Sequence, residues 1–136
     1  MDTSVFSLNT CLGLLSIMRD HTKLRAFEMA DELAVLVYQM TAEFPREELY
    51  GLTSQIRRAA ISVPSNIVEG CARGSQADYL RFLTMAFGSL RELHYQIGLS
   101  KRLGFLCNQD SALIEPKIVE AEKVLNCLIR SLRKGD

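Results

Sequence analysis

The chain predicts an all-α fold, an antiparallel bundle of four helices, on three observations. Four segments repeat apolar residues at helical spacing. No segment alternates with period two, and no Asn-Gly or Asp-Gly turn joins two β-branched runs. The links between the four segments are short, which makes successive helices antiparallel neighbours in up-down-up-down order. With 136 residues, nearly half of them apolar and about a quarter charged, the chain suffices for one domain with its own core.

The first helix is expected from about Lys23 to Ala42. Ala26, Ala30, Leu33, Val37, Met40 and Phe44 step by three and four along it. Phe44-Pro45 then ends it, because a residue before proline is pushed out of the helical region. The second starts near Glu47 or Leu52 and reaches about Cys71, with Leu52, Ile56, Ala59, Val63 and Ile67 as its apolar arc. Pro64 removes one backbone bond and should kink it. Gly70 or Gly74 supplies the C-terminal break.

Ser75 caps the third helix, with Asp78 three residues on. That helix runs to about Leu103, with Gly104 as its stop and Tyr79, Phe82, Leu83, Ala86, Leu90, Leu93 and Ile97 inward. The fourth spans about Asp110 to Arg133; Pro116 clouds its first turn, and the regular part could begin there. Ile114, Ile118, Ala121, Leu125, Leu128 and Leu132 keep a heptad step suited to near-parallel packing.

Residues 1–22 read as an N-terminal extension and residues 23–134 as the bundle domain. The apolar run in the first eighteen residues is too short to span a bilayer, where about 20 residues are needed. It also lacks the basic start of an export signal. An alternative start at Met18 fits the same pattern. The expected protein is cytoplasmic, with no membrane contact. Cys11, Cys71, Cys107 and Cys127 form no CxxC pair, and only two histidines occur. The expectation is therefore reduced, mostly buried thiols, no metal and no cofactor.

Sixteen basic residues balance sixteen acidic ones, so no bulk positive field draws in nucleic acid. Local clusters have to carry any such binding. Arg57, Arg58 and Arg73 come from the second helix and its exit. Arg81, Arg91 and Arg102 share an arc of roughly 80° on the third. Arginine forks match phosphate, but solvated charges and intramolecular ion pairs explain the same residues. No stacking aromatics interleave with them in the manner of single-strand binders.

A second pattern is polar. Gln55, Ser62, Asn66 and Glu69 fall within roughly 60° beside the apolar arc of the second helix. Polar groups bordering a core need partners. Arg81, Gly88 and Glu92 lie within about 40° on the third helix, and a mid-helix glycine usually permits close approach of another backbone. Together they describe either an interface beyond the monomer or packing within it. Catalysis is not expected, since no nucleophile elbow, HExxH or phosphate loop occurs. His21 and His94 read as surface groups. Glu69 and Glu92 could serve as acid and base, or each could pair with an arginine such as Arg57 or Arg58.

The segment FPxxExYGLTSQIRRAAISVPSNIVEG at 44–70 resembles the signature of the small four-helix bundle proteins linked to bacterial 23S ribosomal RNA intervening sequences. RFLxxAxGSLxEL at 81–93, LAxxVYxxT at 33–41 and LGFL at 103–106 continue the resemblance, which covers about residues 23 to 133. It implies a ring-like homopentamer. It also relates the chain to accessory proteins of diversity-generating retroelements, which bind nucleic acid and a reverse transcriptase. Family-motif positions here are Gln55, Arg57, Arg58, Ser62, Pro64, Asn66, Glu69, Gly70, Arg81, Gly88, Ser89 and Glu92. This chain differs in Val68, where alanine is usual, and in its neutrality, where the retroelement branch is basic. The resulting expectation is a non-enzymatic RNA-associated accessory protein gripping RNA or DNA with those arginines; the rival is a protein-binding scaffold ring.

Overall fold

A computed structural model describes residues 19–135. Four helices carry the fold: α1 (Arg25–Thr41), α2 (Leu52–Cys71), α3 (Gln76–Arg102) and α4 (Asn108–Lys134). Two short 3-10 turns, His21–Lys23 and Arg46–Glu48, precede α1 and α2, and no strand occurs among the described residues. Most of the expected N-terminal extension, Cys11 included, lies outside the described residues.

Each boundary has a local cause. Thr41 returns its hydroxyl to the Val37 carbonyl at 2.7 Å, and Phe44-Pro45 follows, so α1 stops there. Of the two starts open for α2, the structure takes Leu52, whose amide donates to the Glu48 carboxylate at 3.0 Å. That charge sits at the positive end of the helix. Ser75 caps α3 as expected, accepting from the Asp78 amide at 3.1 Å. Gly104, with φ of 80°, makes the left-handed turn that ends α3. The Cys107 thiol caps α4 by accepting from the Asp110 amide at 3.4 Å. Pro116 therefore lies well inside α4, and Pro64 well inside α2.

Cross-helix contacts give the arrangement. Gly70, Ser62 and Arg58 of α2 meet Phe82, Ser89 and Glu92 of α3, so numbers fall along one helix as they rise along the other. Arg25 and Glu32 of α1 meet Glu120 and Lys117 of α4 in the same opposed sense. Phe44 touches Phe105 at one end of the bundle, with ring centroids 5.9 Å apart. At the other end the Gln76 amide donates to the Leu132 carbonyl.

The core contains the expected residues of α1 and α3, together with Ile56, Ala59, Val63 and Ile67 of α2. Three expectations need correction. The inward row of α4 is Ser111, Ile114, Ile118, Ala121, Leu125 and Ile129; Leu128 and Leu132 are only half-buried. A straight helix drifts about 20° per heptad, so a strict heptad step slides off the core after about two heptads. Gly70 is not a terminal break but a buried residue inside α2. A Cβ there would lie 2.9 Å from the Phe82 Cβ and 3.3 Å from the Tyr79 ring. Its bareness lets the two backbones close. Of the described cysteines only Cys71 is buried; Cys107 and Cys127 are exposed, against the expectation of mostly buried thiols.

Candidate functional site

A polar seam runs along the outer junction of α2 and α3. The Ser62 and Ser89 hydroxyls meet at 2.8 Å. Asn66 donates to the Ser62 carbonyl at 2.8 Å and to its hydroxyl at 3.0 Å. One turn and more before, Arg58 donates to Gln55 at 2.8 Å and reaches Glu92 at 3.4 Å. Gln96 donates to the same Glu92 oxygen at 3.2 Å. Gln55, Ser62, Asn66 and Glu92 are thus brought together within one chain. Ser89 is the member the polar-arc reading missed; its signal was its place beside Gly88 in the 81–93 motif. Glu69 is exposed and makes no ion pair among the described residues. Each half-buried neutral bond contributes about 1 kcal/mol, and the exposed Arg58–Glu92 pair less.

Gly88 behaves differently. It is exposed at mid-helix, and a Cβ there would meet nothing within 4 Å. No contact among the described residues requires a glycine at this place. Ile61 and Met85, on the outward sides of α2 and α3, are 43% and 44% exposed. Gly88, Met85 and Ile61 are thus exposed on the outward sides of α2 and α3, with Gly88 about 100° round its helix from Ser89.

The six candidate arginines do not share a surface. Arg57 turns inward to α1, donating Nε–H to the Thr41 hydroxyl at 2.8 Å beneath the Tyr38 ring. Arg58 belongs to the seam. Arg91 pairs with Glu122 of α4 at 2.5 Å. Arg102 stands exposed near the far end of α3. Arg73 and Arg81 do converge, both stacked on Phe82 with centroid distances of 4.5 and 4.8 Å. Arg19 joins them, stacking on Tyr79 at 4.0 Å and donating to the Arg73 carbonyl. Aromatics thus stand beside these arginines, though not in the manner of a single-strand binder. Phe82 and Tyr79 are buried, however, so they orient the guanidiniums and offer no face for a base. Arg81 also lies 3.7 Å from Asp78.

Of the two carboxylates, Glu92 pairs with Arg58, and Glu69 pairs with no cation among the described residues. His94 is not a plain surface group: its Nδ1 contacts Glu122, whose side chain is only 12% exposed. Burial pushes the Tyr79 phenol up to about 12 and raises the Cys71 thiol, against which Tyr79 packs. Among the described residues no three His, Cys, Asp or Glu side chains gather to hold a metal ion. No described helix is long and apolar enough to cross a membrane.

No curated protein matches the chain. A solved structure of a protein with unknown function from the S23 ribosomal protein family of Bacteroides thetaiotaomicron superposes with a TM-score of 0.70. The match covers 77% of this chain and 95% of that one at 24% identity, and establishes the shared fold. The family model described as 23S rRNA-intervening sequence protein matches residues 22–127. With that span covering the whole of α1 to α3 and most of α4, the chain belongs to the 23S rRNA-intervening sequence protein family.

Proposed function

We propose that the protein is a non-enzymatic cytoplasmic accessory protein that assembles with copies of itself and binds nucleic acid, RNA foremost. Its four helices run up-down-up-down, and the α2–α3 junction joins neighbouring copies into a ring-like homopentamer. Gly88 carries this reading. A mid-helix glycine costs about 1 kcal/mol relative to alanine, and nothing among the described residues uses the space it leaves. A second copy approaching that backbone would.

The nucleic-acid part rests on Arg73 and Arg81, joined by Arg19, which together expose three oriented guanidiniums against Asp78 and Asp20 nearby. Stacking fixes their planes and reduces the ordering cost of gripping a phosphate. A reverse transcriptase as partner follows from the sequence resemblance alone. A scaffold ring without nucleic acid is the second reading. Neutralisation favours it, because Arg58, Arg81 and Arg91 each face a carboxylate.

Retention on single-stranded RNA across a salt series separates the two. Phosphate contacts predict a log–log slope of about −0.7 per neutralised charge, and a shallower slope in an Arg73→Ala, Arg81→Ala variant. Absence of RNA and DNA binding at low salt would leave the scaffold. For assembly, Gly88→Leu should lower the mass seen by light scattering while helical ellipticity stays. An unchanged mass would remove Gly88 from the interface.

A further inference from the structure

We infer that the α2–α3 turn grips the terminal phosphate of a nucleic-acid strand and not the phosphodiesters along it. The inference rests on the nucleic-acid reading above and narrows it to a phosphomonoester end. Arg73 and Arg81 lie against one ring, their Cζ atoms 4.5 and 4.8 Å from the Phe82 centroid. The two carbons are therefore at most about 9 Å apart, close to the roughly 8 Å between two guanidiniums that grip one phosphate through charge-assisted bonds. Phe82 is buried while both arginines are exposed, so their free N–H groups open to solvent and not into the core.

The surroundings suit an anion. Arg73 makes no ion pair among the described residues. The Arg19 amide donates to the Cys71 carbonyl at 3.2 Å, and its Nη1–H to the Arg73 carbonyl at 3.3 Å. Arg19 thus covers two carbonyls at the negative end of α2, which would otherwise repel a phosphate. Asp20 is committed to the Thr22 amide and hydroxyl. Asp78 faces Arg81 at 3.7 Å, but both side chains are more than half exposed, so a phosphate displaces that pair at little cost. Gly74 leaves the approach open, since a Cβ there would meet nothing within 4 Å. The bond from Gln76 to the Leu132 carbonyl brings the last turn of α4 to the same end of the bundle, and Arg133 and Lys134 add positive charge there.

Two things select an end over an internal stretch. An internal phosphodiester offers this pair one charge and two free oxygens. A terminal monoester offers three oxygens and close to two charges at pH 7. A strand laid along the bundle would also find no second cationic stop nearby. Arg58 and Arg91 face Glu92 and Glu122, and Arg57 turns toward α1. The next exposed cations on α3, Lys101 and Arg102, stand at its far end.

The test uses RNA oligonucleotides of one sequence, labelled at an internal base and bearing a 5′-phosphate, a 3′-phosphate or hydroxyls alone. Each is titrated into the full-length protein at one salt concentration and read by fluorescence anisotropy. At least one phosphorylated strand should bind about fivefold or more tightly than the hydroxyl strand. Arg73→Ala should erase that ratio while helical ellipticity stays at the parent value, and Arg81→Ala should lower it. Lys101→Ala, at the opposite end of α3, should leave it unchanged. Equal binding of all three strands would overturn the end-recognition and leave the nucleic-acid reading standing. No binding by any strand would remove both. A ratio that survives Arg73→Ala, or a phosphoserine peptide that binds as tightly as the phosphorylated RNA, would also overturn it.

Discussion

Replacing Gly70 by alanine tests how closely α2 and α3 are pressed together. Alanine in a helix interior gains about 1 kcal/mol over glycine from backbone entropy alone. At Gly70 the new methyl would stand 2.9 Å from the Phe82 Cβ, closer than real Cβ atoms approach, and 3.4 Å from the Tyr79 carbonyl oxygen. Neither atom is the tip of a flexible side chain, so relief requires the helices to move apart. Overpacking of this kind costs about 1–3 kcal/mol, which exceeds the propensity gain and leaves a net loss of about 1 kcal/mol. Gly98, on α3, is the internal control, because a Cβ there meets nothing within 4 Å. Gly98→Ala should therefore gain what Gly70→Ala cannot keep. For a domain of this size the two variants should melt about 3–5 °C above and below the parent, respectively. Thermal melts at 222 nm, run at one protein concentration, read the difference. A Gly70→Ala protein melting at or above the parent would refute the close-approach argument.

Three further outcomes follow from the same geometry. Tyr79 is raised to about 12 from its ordinary 10 by burial, so the folded state holds its proton while the unfolded state releases it. Its contribution is complete below pH 10 and is lost as pH rises from 10 through 12, a decline that urea melts should show and Tyr79→Phe should flatten. Glu122 serves both Arg91 and His94 while mostly buried, so Glu122→Ala should cost about 1–3 kcal/mol in urea unfolding. Arg91→Ala, losing an exposed partner, should cost under about 1 kcal/mol, and equal losses would place the burial elsewhere. A Ser62→Ala, Ser89→Ala double-mutant cycle should give a coupling of about 0.5–1 kcal/mol, and a value of zero would mean that the hydroxyls do not bond in solution.

Much of this architecture is visible in the sequence because one-helix geometry is periodic. The inward faces of α1 and α3, the Ser75 cap and the Gly104 stop all depend on residues within a few positions of one another. What depends on the neighbouring helix is not visible in that way. Arg57 and Arg58 are adjacent in sequence, yet about 100° of rotation sends one to α1 and the other to α3. Gly70 reads as a helix end until Phe82 is seen against it. The polar arc of α2 was legible as a row wanting partners; that Ser89 and Glu92 answer it required the register between two helices. Thr53, which is buried, lies about 40° beyond the edge of the apolar arc and so was not read as inward. The N-terminal boundary stands only as an expectation, since residues 1–18 lie outside the described structure.

The paired hydroxyls of Ser62 and Ser89 have a property that a charge or an amide in their place would lack. Either oxygen can be the donor, and Asn66 donates to the Ser62 oxygen in both cases. Two O–H torsions suffice to reverse the direction of the bond. When Ser62 gives its proton to Ser89, Ser89 offers a proton outward; when the bond reverses, Ser89 offers lone pairs instead. No heavy atom moves between these settings. The outward hydrogen-bonding sense of Ser89 is therefore set by two hydroxyl torsions and not by the fold.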